Sequence, residues 1–240
     1  YWVLDLYAQG PFSNEDTPIS GYVPERYGDE DLFTFIESEL KDIEEAVPMQ
    51  NEYGRASRSA VWALMARLYL NAEVYIRQPR YTDCITYCNK IIGSGQYTLE
   101  PEFYKLFNAS NHLRTNEIIF SFVVDATTTV TWGATTNIIC GSCSNSSTQD
   151  PAKYGITSGW GNFRVRGEIP AKFGDVATSK DSRCMFYTDG QTQYITVYND
   201  QSQGYFSEKF TNLYDDGTAA SNSAVNGCST DLPVFRLADV

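Results

Sequence analysis

The sequence predicts a mainly α, α+β chain, with helical repeats first and a loop-rich, partly β region after them. Three observations carry that expectation. Apolar residues recur at helical spacing as far as residue 92. One β-rich apolar run follows at 116–124. Then residues 125–165 turn to Thr, Ser, Gly and Asn with scattered aromatics, the texture of long loops.

Residues 1–7 read as the end of a helix that Gly10-Pro11 stops, and residues 11–28, rich in Pro and Gly, as a loop. Asp29, Glu30 and Asp31 put negative charge where a helix dipole favours it. Leu32, Ile36, Leu40, Ile43 and Val47 form the stripe of that helix, and Pro48 ends it. The next helix runs from Ser57, a suitable N-cap, to Tyr75. It has two apolar rows, Val61-Leu64-Leu68-Tyr75 and Trp62-Met65-Tyr69, while Ala60, Ala63, Ala66 and Ala72 admit close neighbours. A helix apolar on two sides is sandwiched, as in a solenoid. A third helix covers Tyr81–Ile92, with Gly93 as its stop. Its opening aromatic, small contact residues and closing apolar pair follow the second helix of a tetratricopeptide repeat.

The expected organisation is therefore a tetratricopeptide-like helical region over 1–110, a loop-rich region with short strands over 111–232, and the start of a further repeat helix over 233–240. The middle region should contain a hairpin, with Thr192–Tyr198 running into a turn at Asn199-Asp200-Gln201 and back through Tyr205-Phe206-Ser207. Residues 211–230 read as a polar loop. Trp2 and Trp62 lie on apolar helix faces and read as core. Both ends read as truncated, since 1–7 begins inside a helix and 233–240 stops inside an apolar-periodic stretch.

The net charge of −12 repels phosphate backbones and anionic lipid, which argues against a nucleic-acid partner. His112 is the one histidine, so a His-rich metal centre or a two-imidazole relay is excluded. No cofactor is expected. No apolar run is long enough to cross a bilayer as a helix. Cys84 and Cys88, four apart on one helical face, read as core thiols. Cys140-Gly-Ser-Cys143 has redox spacing but lies among loop residues, so it reads as a bridge or as two free thiols. Cys184 and Cys228 are isolated in sequence, which argues against zinc.

The residues that could carry recognition cluster in 125–166. Trp132 and Trp160 offer flat faces of negative quadrupole to the C–H face of a sugar. Asn137, Asp150, Asn162, Arg164 and Arg166 offer planar hydrogen bonds to vicinal hydroxyls, and Tyr154 is a further contact. Glycines on both sides of Trp160 would leave room for a ligand. Each Trp could equally plug the gap between loops and helices, and each Arg could pair with the acidic surface. A glycosidase would need two facing carboxylates, for which Glu168 and Asp175 are the candidates. A pure protein-interaction scaffold is a third class.

Several local signatures resemble the SusD/RagB family of outer-membrane nutrient-binding lipoproteins. They are the helix end and turn of Tyr1–Phe12, Glu37–Ile43, Gly54-Arg55-Ala56 followed by Ala63–Leu70, Asn116–Phe120, Asp181-Ser182-Arg183, and Phe235–Val240. Gly10 directly before Pro11 is a small departure from the family's turn. The resemblance implies a non-enzymatic, glycan- or peptide-binding protein on the extracellular face of the outer membrane. It implies delivery of ligand to a SusC-like TonB-dependent transporter. It also implies attachment to the membrane through a lipid anchor outside this chain, and a ligand site carried by the irregular loops.

Overall fold

The computed structural model describes residues 1–144, 149–220 and 227–240. Parts of two expected loops, 145–148 and 221–226, lie outside the described residues. The chain divides into two units, 1–98 with 235–240 and 99–234, against expected boundaries at 110 and 232.

The first unit is helical. Helix α1 (Trp2–Tyr7) ends at a left-handed Ala8. Residues Gly10–Pro11 (β1) pair antiparallel with Arg26–Tyr27 (β2). Phe12 is stacked on Tyr27 with ring centroids 4.1 Å apart. The expected loop is thus closed on itself. Helix α2 (Asp29–Ile43) carries its three acidic residues in the first turn, as expected. The expected helix from Ser57 to Tyr75 is broken. Helix α3 (Arg58–Leu70) stops at Asn71 (φ −99°, ψ 6°), whose side chain donates to the Arg67 carbonyl at 3.3 Å. A short helix α4 (Ala72–Ile76) follows, ending at a left-handed Arg77. Asn competes for backbone hydrogen bonds and so favours such breaks. Helix α5 (Tyr81–Gly93) matches its expected span.

Helix α3 is buried on both sides, with Ala60, Ala63 and Ala66 admitting close packing and Val61, Met65 and Leu68 filling the core. Its most extensive partner is α5. Trp62 is core, as expected, but Trp2 is 51% exposed, because α1 has only two turns and turns Leu4 inward instead. Cys84 and Cys88 are half-buried, not core. They line an open groove of ≈ 430 Å³ with Ala66, Leu70, Ile85 and Phe235.

Two half-buried carboxylates tie the helices together. Glu37 accepts from Tyr69 Oη (2.6 Å), Lys41 Nζ (2.7 Å) and Arg80 (3.2 Å). Glu44 accepts from Trp62 Nε1 (2.8 Å), Tyr87 Oη (3.0 Å) and Lys90. Burial pushes the Glu44 carboxyl up, but the hydrogen bonds from Lys90, Trp62 and Tyr87 outweigh it and hold it below 4.5. Burial and the same carboxylate push the Tyr87 phenol up to about 12.

The second unit is mostly irregular. Short 3₁₀ turns span Phe103–Phe107 and Asn111–Leu113, and the expected strand is β3 (Ile118–Phe122). Helix α6 (Ala134–Gly141) is an element the loop reading missed. The expected hairpin is absent. Its partner assignment is replaced by β4 (Phe186–Tyr187) pairing antiparallel with β5 (Phe206–Ser207). Along 192–198 the Gln203 side chain accepts from Thr196 N (2.7 Å) and Val197 N (2.9 Å), donors that a strand partner would otherwise take. The helix expected after Pro233 is instead β6 (Leu232–Arg236), paired with β3, and a 3₁₀ turn at Leu237–Asp239. Proline is tolerated in so short a sheet because every strand there is an edge.

Polar side chains do the work of a sheet in this unit. Buried Asn111 donates to the Leu106 (3.1 Å) and Asp231 (2.9 Å) carbonyls. Asp231 accepts from Val124 N at 2.7 Å. Asn212 donates to the Gly155 carbonyl (3.0 Å) and accepts from Ser229 N (2.7 Å). The expected polar loop at 211–230 is exposed at 214–219, but Asn212, Ala220, Cys228 and Thr230 are buried in an internal framework.

Replacing Glu44 with Ala strips the acceptor from three donors in a half-buried setting. We expect a loss of about 2 kcal/mol in urea unfolding at pH 7. Because the folded carboxyl titrates below 4.5, its stabilisation is complete above that pH and is lost as pH falls through the folded value. The stability gap between wild type and E44A should therefore narrow in acid, which a pH series of melts measures.

Candidate ligand-binding site

The aromatic pair expected from sequence is assembled on α6. Trp132 lies two residues before its start and Trp160 crosses its end. Their ring centroids are 5.9 Å apart with planes tilted by 32°. Trp132 is 65% exposed. Trp160 is partly buried and packs on Ile139, Cys140, Cys143, Tyr154, Ile156 and Cys228. One indole is therefore presented to solvent and the other backs it.

The last carbonyls of α6 have no partner within the helix. The Trp160 segment supplies partners for two of them: Trp160 N donates to the Cys140 carbonyl (2.7 Å) and Phe163 N to Gly141 (2.8 Å), while Gly161 N donates to the Cys143 carbonyl just past the helix (2.8 Å). The flanking glycines serve this crossing. A Cβ at Gly159 would lie 2.2 Å from the Ser144 carbonyl oxygen, and Gly161 sits at φ +64°. They are needed by the backbone, which corrects the expectation that they clear space for a ligand.

The other expected contacts are dispersed in role. Tyr154 is 8% exposed. Its hydroxyl donates to Glu208 and accepts from Gln149 Nε2 at 3.0 Å. Burial and the Glu208 hydrogen bond push its pKa well above the usual phenol value. Tyr154 thus supports the platform from inside and is not a surface contact. Asp150 caps the 3₁₀ turn Pro151–Tyr154 by accepting from Ala152 N at 3.0 Å. Its other oxygen edge stays exposed. Arg164 is turned into the fold, donating to the carbonyls of Tyr198, Asp200 and Gln203 (the last at 2.8 Å), so it clamps the 198–203 loop. Arg166 is exposed beside Glu168 at 3.5 Å. Asn162 is exposed next to the platform, and Asn137 is half-buried on α6. Trp132, Asp150, Asn162 and Arg166 are thus the expected residues that face solvent.

Each member of the candidate acid pair is engaged locally. Glu168 is exposed beside Arg166, and Asp175 accepts from Ala177 N (3.0 Å) and Thr178 Oγ1 (3.1 Å) in its own turn. Among the described residues no cluster of His, Cys, Asp and Glu has the makings of a metal site. The sequence missed Gln149, Asn212 and Glu208, which hold Tyr154 and its turn in place; single polar residues in loops carry no periodic signal.

The helical repeats of the first unit place the fold in the tetratricopeptide-like class. No family model matches the chain. The starch-binding protein SusD of Bacteroides thetaiotaomicron is 30% identical over an alignment of 294 positions, which takes in 100% of this chain and 50% of that protein. A SusD superfamily protein from Parabacteroides distasonis superposes with a TM-score of 0.73 at 18% identity, over 99% of this chain and 50% of that one. Surface glycan-binding protein A from Bacteroides thetaiotaomicron, solved with laminarihexaose, gives 0.68 at 18% identity, over 99% and 52%. The chain is a SusD homologue with the fold of that superfamily. It spans about half the length of the relatives it matches.

Tyr154→Phe should cost about 1–2 kcal/mol in chemical denaturation, because Glu208 and Gln149 lose a buried partner. A change below about 0.3 kcal/mol would return the hydroxyl to solvent and to the role of a surface contact.

Proposed function

We propose that the protein is a surface glycan-binding protein whose contact surface is the Trp132 face, backed by Trp160, with Asn162 and Asp150 as hydrogen-bonding neighbours. The observation that carries this is a large indole exposed in a described, hydrogen-bonded loop and stacked against a second. Leaving that much apolar area in water gains nothing for folding, whereas it matches the C–H face of a pyranose. Asn162 and Asp150 are of the residue types that bind sugar hydroxyls. The starch-binding and laminarihexaose-bound relatives support a glucan as the ligand class.

In this reading the protein acts at the extracellular face of the outer membrane and passes oligosaccharide to a SusC-like TonB-dependent transporter. It binds and does not cut. The engagement of Glu168 with Arg166 and of Asp175 within its own turn disfavours the glycosidase alternative. A peptide ligand is the second reading, since an indole also accepts apolar side chains.

Affinity electrophoresis through gels containing starch, laminarin or casein separates these outcomes. Wild-type protein should be retarded by a glucan and not by casein, with no reducing ends released. Trp132→Ala should weaken binding at least ~10-fold, about 1.4 kcal/mol, by calorimetry with the soluble oligosaccharide. Its stability should change by less than about 0.5 kcal/mol, as at other exposed positions. Full retention in W132A would sink the platform.

A further inference from the structure

The three cysteines near α6 have no part in the proposed recognition, yet their placement is specific. Cys228 N donates to Thr136 Oγ1 at 3.0 Å. Thr136 and Cys140 are one helical turn apart, on one face of α6. The Cys140 and Cys228 side chains are both buried in one cluster, each as a free thiol in the structure. Cys143 shares the cluster, but its thiol turns to the Ser144 carbonyl at 3.6 Å. Two sulfurs isolated in sequence are therefore brought together, and the CxxC neighbour is directed elsewhere.

We propose that Cys140 and Cys228 form a disulfide that locks the Trp160 segment to the chain returning at 228–231. Cys140 is the anchor of that segment, since its carbonyl accepts from Trp160 N at 2.7 Å. Ser229 and Asp231, beside Cys228, join the Asn212 and Asn111 framework. One covalent bond would thus fix the indole pair to the polar interior.

The oxidant is a disulfide, R–S–S–R, of a thiol oxidoreductase or of oxidised glutathione. The Cys140 thiolate attacks one of its sulfurs, forms a mixed disulfide and releases one R–S⁻, which takes up a proton. Cys228 gives up its proton, attacks the Cys140 sulfur and expels the second R–S⁻, likewise protonated. Two protein thiols lose two protons and two electrons, and R–S–S–R becomes two R–SH. Burial of both places the reaction during folding, before the cluster closes. Export from the cytoplasm, which rests on the function proposed above, supplies an oxidising compartment. The bond itself is independent of what the platform binds.

The test is thiol counting and peptide mapping on wild-type protein exported to a bacterial periplasm and purified without reductant. In denaturant a maleimide should label four of the six cysteines. Non-reducing digestion should yield the Cys140 and Cys228 peptides joined, with the remaining two thiols appearing on reduction. Reduction should lower the melting temperature by several degrees. Cys143→Ala should keep the linkage, and Cys228→Ala should expose all of its remaining thiols. Six reactive thiols, or a linkage of Cys140 to Cys143, would overturn the proposal. Glycan retention by oxidised and reduced protein is read separately, so a failed bond and a failed binding reading are distinguishable.

Discussion

The structure of the second unit depends on one unmet demand: the carbonyls at the end of α6. A helix of eight residues leaves half its carbonyls without internal partners. Here the 160–163 segment answers two of them, Cys140 and Gly141, at 2.7 and 2.8 Å, and adds a third bond to the Cys143 carbonyl just past the helix at 2.8 Å. The path of that segment is then fixed. It passes so close to Ser144 that residue 159 has to lack a side chain. It sets Trp160 against the Ile139 and Cys140 face, and Trp160 in turn sets the tilt of Trp132. An exposed aromatic surface is thereby held without a sheet beneath it.

The two units meet the cost of ordering in different ways. In the helical unit the backbone satisfies itself, and side chains supply apolar burial with carboxylate hubs at Glu37 and Glu44. In the irregular unit the backbone is satisfied by buried Asn111, Asn212 and Asp231 and by half-buried Gln203, each replacing ladder hydrogen bonds at a chosen point. Such a unit tolerates changes of loop course more readily than a sheet does, because a side-chain bond is lost one at a time.

Helix periodicity made α2, α3 and α5 legible because burial on a helix repeats every few residues. The doubled stripe on 58–70 announced a sandwiched helix, and the structure buries it on both sides. The break at Asn71 was not legible, since apolar periodicity runs through it and one side-chain bond decides it. Trp2 misled because a helix of six residues has no room to bury both Leu4 and the indole. The hairpin misled because alternation at 192–198 specifies an extended chain but not its partner. In the site, the indoles stood out by residue type, and their pairing did not. The clamp made by Arg164 and the internal role of Tyr154 could not be read, since both depend on where residues 198–203 and Glu208 return. The joining of Cys228 to the α6 cluster is hidden for the same reason.

The central claim is that the ligand is met by the Trp132 and Trp160 indoles. The chain has four tryptophans, so a ¹⁵N–¹H spectrum resolves four indole N–H signals. Titration with laminarihexaose and with maltooligosaccharides, alongside calorimetry to establish binding, reads which of them sense the sugar. The expected result is a saturable shift of the Trp132 and Trp160 signals, with Trp2 and Trp62 still. Saturable binding that moves neither Trp132 nor Trp160 would contradict the account.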